Sequence, residues 1–450
     1  MKRINKYILT FSLATFFLAG CADMLDIEPA NSIDASKGIS TSSDVEALLV
    51  GAYSAMGDGD VYGGNILRDA ELIADDLDNP ELFWDGTFVA PGEIWTKSML
   101  VTNDQAQSTW LDSYEAINIC NTVLANLEVV TPEKTDQVEG EAKFIRAAIY
   151  FELVRTFAKT WTDGNPASNP GVPIVLEPTD ASNISILASR DPVSEVYDQV
   201  ISDLNDAAAL LPDDNGFFAN RFAAHAILSR VYLMQNDYAK AADHASIVIE
   251  ESGYSLESSY ADAFNKTSPS SSSEDIFAIQ VTDQDGINEM NTFFASSDFG
   301  GRGDIYIEQN HFDLYEPNDD RLNLFYDDER CGKWKNIFGN VTIIRLAEMY
   351  LTRAEANFRE GTSVGADPID DINTIRNRVN LSDLVTLTLD DILLERHLEL
   401  AFEGHRMHDI KRTQGSVGTL PYSDPSLVFP IPQRELNINP DLGQNQGYGN

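Results

Sequence analysis

The chain has 450 residues, with 72 acidic side chains against 31 basic ones and a net charge of −41. That length suits one large domain or two ordinary ones. The acidity is spread along the chain rather than blocked, and it argues against nucleic acid as a partner and against electrostatic docking on anionic lipid.

Residues 1–20 read as a targeting segment. Lys2, Arg3 and Lys6 make a basic start, and Tyr7 to Ala19 is mostly apolar but shorter than the roughly 20 residues a membrane span needs. The run ends in Leu18-Ala19-Gly20-Cys21, the pattern at which bacterial lipoprotein signals are cut and the new N-terminal cysteine is acylated. Cys21 is therefore the expected lipidation site, 1–20 the signal peptide and 21–40 a polar tether. Cleavage leaves 28 basic against 72 acidic residues, because the segment holds three basic and no acidic side chains. No other long apolar run occurs, so the remainder is expected to be soluble apart from its lipid. Cys120 falls in a helical pattern and Cys331 in a loop; two cysteines give no framework, and a disulfide between them stays open.

Residues 41–450 read as a single, mainly α domain. Ser43-Asp44 caps a helix through Met56, and Ile66 to Ala74 is helical. Asp75 to Gly92 is irregular and holds Phe83, Trp84 and Phe88, with Trp95 just beyond. Helix is predicted from Asp104 to Leu127 and from Asp136 to Thr160; Phe144, Ala147, Ala148, Phe151, Val154 and Phe157 form one apolar face of the second. After a proline-rich linker to Pro178, Arg190-Asp191-Pro192 starts a helix to Leu211, with Asp191 as cap and Pro192 in the first turn.

Arg221 to Ser252 is the clearest repeat unit, with small and aromatic residues placed as in a tetratricopeptide helix pair. Ile344 to Asn380 gives a second pair, with its partner helix from about Pro368, and Glu141–Thr160 with Val193–Leu211 a third. These pairs lie mainly within 104–252 and 344–412 and stack into a scaffold. The segment 254–339 is a loop-rich insert with a short strand at Asp275 to Val281, and long ordered loops in a compact domain are usually functional.

Asp390 to Arg412 organises the rest. Asp390 and Asp391 suit a helix N-terminus, and Leu389, Leu393, Leu394, Leu398, Ala401 and Phe402 form a buried face. Glu399, Glu403 and Arg406, then Asp409 and Arg412, follow at three- and four-residue steps, so a helix lets them meet as a half-buried ion-pair network.

Leu393 to Arg412, L-L-E-R-H-L-E-L-A-F-E-G-H-R-M-H-D-I-K-R, resembles the C-terminal signature of the SusD/RagB family of outer-membrane nutrient-binding lipoproteins. Other pieces follow in matching order: Cys21 to Pro29, Gly171-Val172-Pro173, Arg190-Asp191-Pro192, Tyr315 to Arg321, Arg353 to Ala356 and Pro430-Ile431-Pro432-Gln433. The resemblance implies a SusD-like fold, with tetratricopeptide-like helix pairs on one side, a loop-rich ligand side and few short strands. It implies a lipid-anchored protein facing the cell exterior that delivers oligosaccharide or polysaccharide to a SusC-like TonB-dependent transporter without catalysis and without a cofactor. A peptide or glycoprotein ligand is the alternative, and a surface hydrolase stands behind both.

The chemistry legible in the residues favours binding. No G-x-S-x-G, Walker-type Gly-Lys-Ser/Thr or H-E-x-x-H motif occurs. His397, His405 and His408 are close in sequence but read as packing or surface residues. Asp58-Gly59-Asp60 and Asp283 to Gly286 miss the calcium-loop spacing; a bound cation stays open but is not indicated. Sugar rings present flat C–H faces that lie against aromatic rings, while their hydroxyls bond to short polar side chains. On that basis Trp84 and Trp95, with Tyr306 and Trp334 opposite, are the expected platform, and Asp75, Asp76 and Asn79 its polar partners.

Overall fold

The computed structural model describes residues 38–179, 188–284 and 286–449. The signal segment, Cys21 and most of the tether lie outside the described residues. Helix α1 (Ser42–Met56) is capped two residues earlier than the sequence suggests. Its cap is Thr41, whose hydroxyl accepts the Asp44 N–H while the Asp44 carboxylate accepts the Thr41 N–H at 2.9 Å, a reciprocal capping box. There follow α2 (Asn65–Leu72), β1 (Leu82–Trp84), α3 (Val89–Trp95), α4 (Asp104–Leu124) and α5 (Pro132–Phe157). The next helices are α6 (Val193–Leu210), α7 (Arg221–Gln235) and α8 (Tyr238–Glu251).

The scaffold is a row in which α1, α4, α5, α6, α7 and α8 each pack on the next. Helix α5 is buried along every residue from Phe144 to Leu153, not along one face as its periodicity suggests. It is enclosed because α1, α4 and α6 all lie against it. The charge this buries is paired: Arg146 donates from Nε and Nη2 to the two oxygens of Asp203, each at 2.8 Å. Asp191 does not cap α6, whose N-cap is Pro192; its carboxylate instead accepts the Ile174 N–H at 2.7 Å and pins the linker. The turn between α7 and α8 is tight because Asn236 takes a left-handed conformation (φ 59°).

The insert contributes β2 (Asp275–Ile279), α9 (Glu289–Phe294), β3 (Ile305–Ile307), α10 (Gln309–Phe312), β4 (Phe325–Tyr326) and β5 (Arg330–Cys331). Strand β6 (Val341–Arg345) pairs antiparallel with β2, and β3 with β1. Ile344 and Arg345 are thus strand, and the second repeat pair is α11 (Leu346–Glu360) with α12 (Pro368–Arg378). Helix α11 packs on α8, extending the row. Cys120 and Cys331 are free and buried in the apolar core, where burial pushes each thiol up to about 12. The structure therefore contains no Cys120–Cys331 disulfide.

The organising stretch is two helices, not one. Helix α13 (Leu389–Glu399) is capped by Thr388 with Asp391, and α14 spans Arg406–Arg412. Between them Phe402 (φ 62°) and Gly404 (φ 83°) reverse the chain. Glu399, Glu403 and Arg406 therefore do not share a helix face. The first two converge on Arg345 from β6, at 2.7 Å and 2.8 Å, and Arg406 turns toward Glu81. Within α14 the expected pair does form, Arg412 Nε to Asp409 Oδ1 at 2.7 Å, and Arg412 also grips both oxygens of Glu355.

Candidate functional site

Strands β1 and β3 form a two-stranded antiparallel ribbon in which Phe83 pairs with Tyr306 and Trp84 with Ile305. Side chains alternate across a strand. Leu82, Trp84, Ile305 and Ile307 therefore face the core, and Phe83 and Tyr306 share the outer face. Phe83 is 40% exposed. Its ring meets Trp95 edge-on with centroids 5.2 Å apart, a favoured aromatic geometry. Tyr306 is half-buried, because the Arg330 guanidinium sits 3.6 Å from its ring centroid. The ribbon thus assembles Trp95, Phe83 and Tyr306 into one outward aromatic strip.

Two expected platform residues are elsewhere. Trp84 is 6% exposed, packs on Phe293 at 5.8 Å and is wrapped by Gly86 and Gly92. A Cβ on Gly86 would lie 2.3 Å from the indole. Trp334 is 3% exposed; its Nε1–H donates to the Phe402 carbonyl at 3.1 Å, and its own carbonyl accepts from Asn291. Both are core residues in this structure, and neither offers a face to a ligand. Phe83 was the residue missed; the signal was the Leu82-Phe83-Trp84 run, where a buried strand edge puts the middle residue outward.

Beside the strip opens a cleft of about 260 Å³ lined in part by Asp75, Asp76, Asn79, Glu81, His397 and Arg406. All three predicted polar residues are here, but they play different parts. Asp75 is buried and builds the site: Oδ2 accepts the Trp95 Nε1–H at 2.9 Å, while Oδ1 accepts the N–H groups of Glu81 and Leu82. It ties the ring of Trp95 to the start of β1. Burial pushes its carboxyl up to about 6 against the pull of those donors. Lys97 bonds the Asp75 carbonyl, and burial lowers its ammonium to about 8. Asp76 is half-buried and Asn79 exposed, and both line the cleft; Asp76 Oδ1 accepts the Asp78 N–H at 3.1 Å. Glu71 closes the inner wall. Its Oε1 accepts the N–H groups of Gly404, His405 and Arg406, and burial raises it to about 7.

The three sequence-neighbour histidines separate. His405 lies 3.8 Å from Glu348, His408 is enclosed, and only His397 reaches the cleft. There it meets Glu81 and His311, which lie far away in sequence.

Residues 23–233 match a family model described as SusD-like, starch-binding and associating with the outer membrane, and residues 322–425 match the SusD family model. The chain belongs to the SusD/RagB family. Among its relatives is SusD-like protein P2 of Formosa agariphila, 25% identical over 522 aligned positions that cover 99% of this chain and 100% of the relative. The starch-binding protein SusD of Bacteroides thetaiotaomicron is 30% identical over 156 residues, 29% of this chain and 28% of its own. Among solved structures, a candidate sugar binding protein from Bacteroides vulgatus superposes with a TM-score of 0.81 at 28% identity, covering 91% of this chain and 99% of its own. A SusD superfamily protein from the same organism gives 0.81 at 24% identity over 92% and 100%. The SusD-like fold therefore runs through nearly the whole chain, and the helix row and loop-rich side described above are its two parts.

Proposed function

We propose that this chain is a non-catalytic glycan-binding protein of the outer membrane that passes oligosaccharide or polysaccharide to a SusC-like TonB-dependent transporter. The observation that carries the reading is the outward strip of Trp95, Phe83 and Tyr306 beside a cleft edged by Asp76 and Asn79. Flat apolar rings next to short polar side chains match a sugar, which has C–H faces and equatorial hydroxyls. The sugar-binding descriptions of its relatives point the same way. Acylation at Cys21 would hold the chain at the membrane through its tether, on the outer face where polymer arrives.

The test is affinity electrophoresis and calorimetry of the purified mature chain against a panel of polysaccharides and, separately, peptides. Saturable binding of at least one glycan, with the polymer recovered uncut, is expected. Binding to peptides alone would move the ligand to the peptide class, and shortened product would make the protein a hydrolase.

A further inference from the structure

We infer that Glu81, His311 and His397 form a site for one divalent transition-metal ion of the zinc class on the wall of the cleft. Three segments bring these residues together: the lead into β1, helix α10 and helix α13. His311 Nδ1 lies 2.8 Å and His397 Nε2 2.6 Å from the same oxygen, Glu81 Oε2. The potential ligand atoms of the three residues all lie within 4.8 Å of one another.

Two imidazoles and a carboxylate are the donor set that zinc takes when one coordination position is left for water or another ligand. In a tetrahedral shell with bonds of about 2.0–2.1 Å, ligand atoms sit about 3.3 Å apart. The two nitrogens aim at one point, so a retreat of the carboxylate oxygen by about half an ångström opens the space an ion needs. His311 is held for the role from behind. Its Nε2 lies 3.0 Å from the Tyr315 hydroxyl and its ring rests on Phe402 at 4.7 Å. Metal binding requires Nδ1 without its proton; the ring then carries the proton on Nε2 and donates to Tyr315, the arrangement that commonly fixes a metal-binding histidine.

Glu81 and His397 line the cleft, so the open position faces solvent. The nearest competing charge is Arg406, with Nη2 3.6 Å from Glu81 Oε1. Its side chain is 36% exposed and can leave without uncovering core. The ion would join three segments distant in sequence, and this inference stands independently of which ligand the aromatic strip takes.

The test titrates EDTA-treated mature protein with zinc chloride by calorimetry, then with cobalt(II) chloride by visible absorption. One equivalent should bind with a dissociation constant of about 10 µM or tighter, and cobalt should give ligand-field bands of four- or five-coordinate geometry. H397A and E81Q should each weaken zinc at least tenfold and abolish the bands. His397 is half-buried, so H397A keeps the fold, which circular dichroism checks. H244A is the control: His244 pairs with His225 at 2.8 Å far along the helix row and should leave binding unchanged. No saturable binding, binding untouched by H397A and E81Q, or binding lost only in H244A would each overturn the site.

Discussion

Arg345 and Glu403 are joined by two parallel hydrogen bonds, Nε to Oε2 at 2.8 Å and Nη2 to Oε1 at 2.9 Å, where neither side chain meets solvent. The same guanidinium reaches Glu399 and Glu274, and Lys333 adds a third donor to Glu403 at 2.5 Å. Strand β6, helix α13 and the reversal after it are held at one point. Removing Arg345 leaves three buried carboxylates short of a partner. Breaking a buried pair from one side costs about 3–5 kcal/mol. R345M should lose that much in urea denaturation; a loss under about 1 kcal/mol would mean the network behaves as if exposed.

Neighbours in β1 should separate function from stability. W84A empties a core site and should destabilise by about 3–5 kcal/mol. F83A removes an outward ring and should leave the melting temperature nearly unchanged while weakening glycan binding about tenfold or more, about 1.4 kcal/mol. Calorimetry on both variants decides it. Equal affinity in F83A and the parent would remove the strip from the binding site.

The reversal at Gly404 tolerates no side chain. Its φ is 83°, and an added Cβ would meet the Leu67 Cα at 2.8 Å. The left-handed backbone alone costs another residue about 1–3 kcal/mol, and the contact with backbone adds to it. G404A should therefore lower stability in thermal melts and disturb Glu71, whose carboxylate accepts the Gly404 N–H at 2.7 Å. An unchanged melt would show that the turn yields.

Acid response follows from opposed groups. Burial holds His244 down at about 4 and His405 at about 3. Both stay neutral in the fold while the unfolded chain protonates near 6.5, so they lose stability as pH falls below about 6.5. Burial raises Asp69, Asp75 and Asp275 to about 6 and Glu71 to about 7. These groups take up protons in the fold first, so they favour it as pH falls from about 7 to about 4. The two sets offset each other. For Glu348, Glu399 and Asp409 burial acts upward, but arginines outweigh it and hold each carboxyl well below its usual value. Their contribution is full above about 4.5 and lost below it. The melting temperature should change little from pH 7 to 4.5 and then drop steeply. A steady decline starting at pH 6.5 would contradict this.

Helices, repeat pairs and family signature were all legible in the chain, because they rest on spacings of three, four or a few tens of residues. The buried ion network was also foreseeable, since charges embedded in an apolar pattern need partners. Its partners were not. Nothing local announces that Glu399 and Glu403 meet Arg345, more than fifty positions away. Periodicity also continues through Phe402 and Gly404, where the backbone reverses.

The aromatic strip shows the same division. Composition marked 75–95 and 300–334 as aromatic and polar, but which rings face outward depends on β1 pairing with β3 in one register. A shift by one residue exchanges the two faces, exposing Trp84 and hiding Phe83. The Glu81–His311–His397 cluster is likewise invisible in one dimension, since its members are separated by 230 and 86 positions. Sequence fixes what the residues can do over a turn or two of backbone; contacts across the fold choose which of them act together.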